Sequence, residues 1–288
     1  MTTVGTWLEE MVRRLCAVSE TAVLDAQVLL AHLMGKTRTW IVAHPEAEVP
    51  QELEESLFAA LQRLEAGEPL AYLLGYREFY GRRFEVTPQV LIPRPETELL
   101  VERALNWLRR NPRRRRAADV GTGSGCIAVS LAAEIPDLQV LATDISLPAL
   151  RVARRNAIKH GVQDRIRWLQ CDLLPPPPSR VSYYTRFDLI CANLPYIPSP
   201  LLPELAVARY EPLLALNGGK DGLDLIRRLL QRVPEWIAPG GLILLEIEAS
   251  QGPTVFSMAY DVFSSAQIHL YPDLAGHDRL LEILVQGE

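Results

Sequence analysis

Apolar residues recur at helical spacing from the start of the chain. Trp7, Leu8, Met11, Val12 and Leu15 share one face, Leu24, Val28, Ala31 and His32 repeat it, and Leu53, Leu57, Leu61 and Leu64 make a further stripe. Gly35 and Gly67 stand where C-terminal caps belong. The pattern predicts a small helical bundle over residues 1–75. No chemical constellation falls within it, and His32 and His44 read as packing or surface residues.

The pattern changes over residues 76–93. Aromatic and β-branched residues flank Gly81 in Tyr76-Arg77-Glu78-Phe79-Tyr80-Gly81-Arg82-Arg83-Phe84, which predicts a β-hairpin acting as a linker. Pro93 and Pro95 then hold an extended segment and present Arg94 rigidly, as a substrate or partner contact or as a solvated loop residue. A helix starts after Pro95, with acidic residues in its first turn and Leu100, Ala104, Trp107 and Leu108 on one face. A third domain is expected over residues 94–288.

From Ala117 short apolar runs alternate with helical stretches, the signature of a doubly wound parallel sheet. The runs are 118–120, 138–142, 166–169, 187–192, 242–247, 267–271 and 280–285. The Pro239-Gly240-Gly241 turn precedes the fifth, and helices are expected over 223–233 and 255–263. The last two runs flank Gly276-His277-Asp278-Arg279 like a hairpin, so one antiparallel strand is expected. Pro175 to Pro178 read as a stiff connection.

Composition narrows the class. Hydrophobic residues are 48% of the chain and the formal net charge is -5, which weighs against holding nucleic acid by charge alone. Arg113 to Arg116 are the most basic piece, read as a solvated loop ahead of a strand rather than an RNA contact. No membrane span and no signal peptide are expected. Scattered Cys16, Cys126, Cys171 and Cys191 and dispersed histidines predict neither disulfides nor a metal site, and fit a cytoplasmic setting.

The candidate chemistry lies at strand ends. Gly121-Thr122-Gly123-Ser124-Gly125 follows the first strand, so backbone N–H groups can approach a ligand. The spacing completes neither the dinucleotide fingerprint nor a P-loop. Asp119 before the turn suits a cationic ligand. Asp144, ending the second strand, is placed for ribose hydroxyls, and Asp172, after the third, for an adenine amino group. Together they point to S-adenosylmethionine. The fourth strand runs into Asn193-Leu194-Pro195-Tyr196, where an amide, free carbonyls and a flat ring suit a planar group carrying an NH2. A plain turn is the bland reading of the same residues.

With these residues in hand, the chain resembles the HemK-type, or PrmC-type, N5-glutamine methyltransferases of peptide chain release factors. The likeness runs through Pro69 to Gly75, Phe79-Tyr80-Gly81, Leu91 to Glu98 (Leu-Ile-Pro-Arg-Pro-Glu-Thr-Glu), Asp119 to Gly125, Asn193 to Ile197, Glu211-Pro212 and Gly276 to Arg279. It implies a class I, Rossmann-like methyltransferase fold with a seven-stranded, mostly parallel sheet behind the helical N-terminal domain and hairpin linker, the N-terminal domain helping to bind the partner. It implies that Gly121 to Gly125, Asp144, Leu173 and Asn193 bind S-adenosylmethionine, with Asp119 supporting its methionine end. It also implies that Asn193, Leu194, Pro195 and Tyr196 bind the glutamine of a Gly-Gly-Gln motif. Asn193 and a loop carbonyl, of Leu194 or, by preference, Pro195, would orient the amide nitrogen while Tyr196 packs on it. The family's usual motif is Asn-Pro-Pro-Tyr, and Leu194 replaces its first proline. The expected partners are class I release factors, bound by a monomer without direct nucleic-acid contact. A ribosomal-protein glutamine, a nucleobase amine or a non-catalytic role are the alternatives.

Overall fold

The protein was described from a computed structural model, which covers residues 2–176 and 186–287. Pro177 and Pro178 of the four-proline run therefore lie outside the described residues. Two compact units emerge, Met1–Tyr76 and Arg77–Glu288.

The first unit is helical: α1 Val4–Leu15, α2 Ala22–Leu33, α3 Arg38–Ala43, α4 Gln51–Glu65 and α5 Leu70–Leu74. Thr3 caps α1 by accepting the Thr6 N–H on its side chain. Gly35 and Gly67 adopt positive φ after α2 and α4, as helix-ending glycines do. The first and third predicted stripes meet in one core, where Met11, Leu15, Leu57 and Leu61 are buried. Fully burying such a side chain is worth about 1.5–3 kcal/mol. The second stripe is displaced: α2 turns Ala26, Leu29 and Leu30 into that core and leaves Leu24 and His32 exposed, because its apolar residues nearly encircle it and packing selects the face. The short helices α3 and α5 did not show in the pattern, because five or six residues are too few to display a helical period. His32 lies 6.1 Å from the Tyr76 ring, and His44 meets Glu46 at the surface.

In the second unit, β1 Tyr76–Phe79 and β2 Arg82–Glu85 pair across Tyr80 and Gly81, whose φ values of 48° and 68° suit a two-residue hairpin turn. Buried Asn156 accepts the Glu85 N–H at 2.7 Å and donates to the carbonyls of Glu85 and Ser124 at 3.0 and 2.9 Å, tying the hairpin's end to the glycine turn.

The described residues form a seven-stranded sheet with spatial order β5-β4-β3-β6-β7-β9-β8. Its members are β3 Arg116–Val120, β4 Gln139–Asp144, β5 Ile166–Gln170, β6 Phe187–Ala192, β7 Ile237–Glu246, β8 Gln267–Pro272 and β9 Asp278–Leu284. Only β9 runs against its neighbours, as the terminal hairpin predicted. One face is covered by α6 Thr97–Arg110, α7 Cys126–Glu134 and α8 Leu147–Lys159, the other by α9 Asp224–Trp236 and α10 Gly252–Val262. Strand order reverses between β3 and β6, and ligands bind at such switch points.

Two boundaries differ from expectation. Pro239-Gly240-Gly241 is not a turn before the fifth strand but lies inside β7, which starts at Ile237. The register slips there, with Phe187 opposite Ile237 and Leu189 opposite Leu242. The extra residues form an irregularity that the positive φ of Gly240 permits. Helix α9 carries Pro234 in its last turns instead of stopping before it. Among the described residues no helix is long and apolar enough to cross a membrane, and no group of His, Cys, Asp or Glu could hold a metal ion.

Arg114 and Arg115 of the basic run, and Arg109 ahead of it, serve the fold. Arg114 pairs with Asp188 and donates to the Pro239 carbonyl, Arg115 pairs with Asp137, and Arg109 pairs with Glu134. Asp188 also accepts the backbone N–H groups of Arg115 and Arg116, anchoring the start of β3 to β6.

Candidate active site

A cavity of about 560 Å³ opens at the C-terminal ends of β3, β4 and β6. That size is typical of a small-molecule site. Gly121, Thr122, Gly123, Ser124, Asp144, Asp172, Leu173, Asn193, Leu194, Pro195 and Arg94 all line it. The sequence candidates Asp119, Gly125 and Tyr196 are not among the lining residues.

The glycine turn is held from two sides. The Thr143 carbonyl accepts the N–H groups of Gly121 and Thr122 at 2.9 and 2.8 Å. Below the turn, Asp119 is fully buried, and its Oδ2 accepts the Thr122 hydroxyl at 2.6 Å and the Ala128 N–H of α7 at 3.1 Å. Burial pushes the Asp119 carboxyl up to about 6, against the pull of these two donors. Its Oδ1 has no partner. Asp119 therefore braces the turn and the helix start, and keeps one buried oxygen able to answer a cationic group beyond the turn.

Asp144 faces the cavity with a fixed carboxylate. Its Oδ2 accepts the Gly123 N–H at 2.9 Å and its Oδ1 the Ser146 N–H at 2.8 Å. Burial raises its pKa while these backbone donors oppose the shift. Each oxygen keeps a further lone pair for a ligand hydroxyl. Leu173 adopts a φ of 62°, unusual for a side chain of its size. The Thr143 hydroxyl holds its carbonyl at 2.6 Å, and Arg232 holds the carbonyls of Asp172 and Leu174 on either side. That strained corner turns Leu173 into the cavity wall. The Asp172 carboxylate, expected to meet an adenine amino group, pairs with Arg228, itself a lining residue.

These features fit S-adenosylmethionine. Backbone donors surround the turn, one anchored carboxylate faces the cavity, and an orphaned buried carboxylate oxygen lies beneath. Bound there, the cofactor supplies a methyl group activated by a positively charged sulfur.

The opposite wall is the corner after β6. Asn193 donates from Nδ2 to the Thr97 hydroxyl at 3.0 Å. That bond commits the NH2 side inward and leaves Oδ1 as the acceptor for a ligand. Pro195 and Tyr196 are backed by glycines. A Cβ on Gly218 would sit 2.8 Å from the Pro195 carbonyl oxygen, and one on Gly222 only 2.2 Å from that of Tyr196. Gln251 donates from Nε2 to the Tyr196 carbonyl at 3.0 Å. Burial first, then the charge of Glu246, pushes the Tyr196 phenol up to about 12, so it stays protonated. Leu194 is buried, and its side chain reaches over Gly121. The residue in place of proline thus packs the acceptor corner onto the glycine turn. Arg94 is not a free cation, because buried Glu211 pairs with it and also accepts the Ile92 N–H at 3.0 Å.

Sequence reasoning missed Thr97, Arg228, Glu246 and Gln251 as site residues. Glu246 gave a signal, a carboxylate at the end of the apolar run Leu242 to Ile247. Thr97 and Gln251 gave none, since their partners are 96 and 55 residues away.

Residues 6–75 match the family model of the PrmC N-terminal domain, and residues 96–198 that of the methyltransferase small domain. The release factor glutamine methyltransferase of Moorella thermoacetica is 44% identical over 94% of this chain and 95% of its own length. That of Neisseria gonorrhoeae is 42% identical over 91% and 93%. Among solved structures, a ribosomal protein L11 methylase from Lactobacillus delbrueckii subsp. bulgaricus superposes with a TM-score of 0.50 at 22% identity, over 73% of this chain and 90% of that one, and so shares the fold. Long matches to these relatives, with the sheet order and the glycine turn, place the chain in the release factor glutamine methyltransferase family.

Proposed function

We propose that this protein transfers the methyl group of S-adenosylmethionine to the side-chain nitrogen of the glutamine in the Gly-Gly-Gln motif of class I peptide chain release factors, modulating translation termination. The observation that carries the reading is the Asn193 amide, whose NH2 is committed to Thr97 beside a cavity shared with the glycine turn.

An amide nitrogen is a poor nucleophile, because its lone pair is delocalised into the carbonyl. Asn193 Oδ1 accepts one N–H of the substrate amide and a loop carbonyl accepts the other, which turns the lone pair toward the methyl donor. The loop carbonyl is that of Leu194 or Pro195, neither of which accepts a hydrogen bond among the described residues, while the Tyr196 oxygen is taken by Gln251. As positive charge develops on nitrogen, these two aimed oxygens stabilise it. No general base is needed before transfer, since the product cation is strongly acidic. Tyr196, kept neutral, packs against the acceptor and excludes water. Gly121 to Gly125, Asp144 and Leu173 hold the cofactor. Asp119 supports its methionine end from below the turn, and Asp172, shared with Arg228, meets the adenine. Arg94, braced by Glu211, lines the entrance for the substrate.

Residues 1–75 form the partner-binding domain and residues 94–288 the catalytic one, with the hairpin 76–93 between them. The protein acts as a monomer in the cytoplasm and does not bind nucleic acid directly. The ion pairs of Arg109, Arg114 and Arg115 support that last point. The test incubates the protein and labelled cofactor separately with a class I release factor, ribosomal protein and DNA. Label on the release factor, mapped by mass spectrometry to the Gly-Gly-Gln glutamine, is the expected result. Label only on ribosomal protein or on DNA would overturn it.

A further inference from the structure

The end of β7 places a third side chain behind Asn193. Ala192 pairs with Leu245, which puts Asn193 beside Glu246. Glu246 is 3% exposed, its carboxylate lies near Thr97 and Asn193, and its Oε2 has no partner among the described residues. Thr97, at the start of α6, is 2% exposed. A hydroxyl alone cannot tell the two ends of a primary amide apart, because it can accept from the NH2 or donate to the oxygen. An ionised carboxylate can only accept. A Thr97 hydroxyl that donates toward Glu246 has only its oxygen left for Asn193, so the Asn193 NH2 must turn inward and the oxygen outward.

We propose that Glu246 is a positioning residue for Asn193: as an obligate acceptor it sets the direction of the Thr97 hydroxyl and thereby keeps the Asn193 oxygen facing the substrate amide. The role rests on the reading of Asn193 as the acceptor of a substrate N–H. It adds a polarity switch to that reading. A neutral Glu246 can donate to Thr97, which can then donate to Asn193. The amide would reverse and present its NH2 to the substrate's NH2, donor against donor.

The surroundings place that switch near neutrality. Burial pushes the Glu246 carboxyl up to about 7, and Glu96 at the start of α6 adds to the rise. Thr97, Arg279 on β9 and Asn193 oppose it. The Tyr196 phenol and the Cys126 thiol of α7 also feel its charge, and both stay protonated, pushed up to about 12.

The test has two arms on the full-length chain. In the first, single-turnover methylation of a release factor is measured between about pH 5.5 and 8.5 for wild type, Glu246→Gln, Thr97→Val and Thr97→Ser. The wild-type rate should rise at least about tenfold across this range, while Glu246→Gln is slower by about tenfold or more and flat. Thr97→Val should lose about as much, and Thr97→Ser should restore most of it, with cofactor affinity changed less than about threefold throughout. In the second arm, without cofactor or substrate, the side-chain NH2 resonances of Asn193, assigned by their loss in Asn193→Ala, are followed against pH. They should shift with one midpoint near the kinetic one in wild type and stay fixed in Glu246→Gln. Resonances that do not titrate in wild type, or a Glu246→Gln rate within about twofold of wild type with its pH profile intact, would overturn the role. If wild type methylates no release factor, the functional reading fails, and the resonance arm still decides the positioning.

Discussion

The two walls of the cavity are built differently. The wall proposed for the cofactor is local: Asp119, Gly121, Thr122 and Gly123 come from one strand end, and their partners Thr143 and Asp144 from the adjacent one. Most of its contacts are backbone N–H groups whose positions follow from strand pairing. The acceptor wall is assembled from afar. Asn193 depends on Thr97 of α6, Pro195 and Tyr196 on Gly218 and Gly222, and the Tyr196 carbonyl on Gln251 beside α10. A wall made of backbone suits a ligand that is always the same. A wall held by separate elements can aim two oxygens at one nitrogen, but each supporting residue becomes a point of failure.

Gly222→Ala should break the acceptor wall most severely. The added Cβ would meet the Tyr196 carbonyl at 2.2 Å, in a backbone conformation with a φ of +80°. The expected loss of stability is about 3 kcal/mol or more in urea unfolding, with turnover down at least about tenfold in the folded fraction. A variant with wild-type stability and turnover would show that this backing is dispensable.

Asp144→Ala should injure the other wall and leave the acceptor corner alone. Removing a carboxylate fixed by two backbone donors should weaken cofactor binding by about 10- to 100-fold in calorimetry, the scale of hydrogen bonds to a charged group. Unchanged affinity would remove Asp144 from the cofactor wall.

Each wall also buries a carboxylate, which gives a stability signature. Asp119 rises from 3.8 to about 6 and Glu246 from 4.5 to about 7, both through burial. In this interval the native state binds more protons than the unfolded one, so the stabilising contribution is full below about pH 4 and is lost as pH rises through about 6 and 7. Chemical unfolding should show Glu246→Gln gaining on wild type by roughly 1–3 kcal/mol between about pH 5 and 8. A gap independent of pH would mean that Glu246 does not titrate in this range.

The mildest change is Leu194→Pro, which inserts the family's usual residue. It removes the packing of Leu194 over Gly121 and fixes φ, two effects of opposite sign. A net stability change under about 1.5 kcal/mol is expected, with turnover retained within about threefold, because the backbone carbonyl survives. A loss beyond about tenfold would make Leu194 itself a specificity element.

The same contrast explains what was legible in the chain. The alternation of apolar runs and helical stretches located all seven strands of the sheet, and the glycine turn with Asp144 picked out one wall of the cavity. Those signals are short-range and repeat the geometry of strand and turn. Asn193 and its loop were also visible, because prolines and an amide at a strand end are local features. Their supports were not. Thr97 reads only as a first-turn helix residue, and Gln251 only as a residue before a helix. Pro239-Gly240-Gly241 misled in the same way: its composition is that of a turn, but it lies inside β7, where Gly240 donates to the Gln286 carbonyl and Gly241 accepts the Val285 N–H, just beyond β9. The partners of Asp172 and Arg94 were hidden for the same reason, since Arg228 and Glu211 come from distant segments.

The central claim is that the cofactor and acceptor walls are separable, with Asn193 acting on the acceptor alone. Its most direct test is Asn193→Ala, with cofactor affinity measured by calorimetry and methyl transfer to a release factor in a single turnover with radiolabelled cofactor. The account predicts affinity within about tenfold of wild type and transfer slowed by about a hundredfold or more. Transfer at close to the wild-type rate, or a slow rate explained wholly by lost cofactor binding, would contradict it.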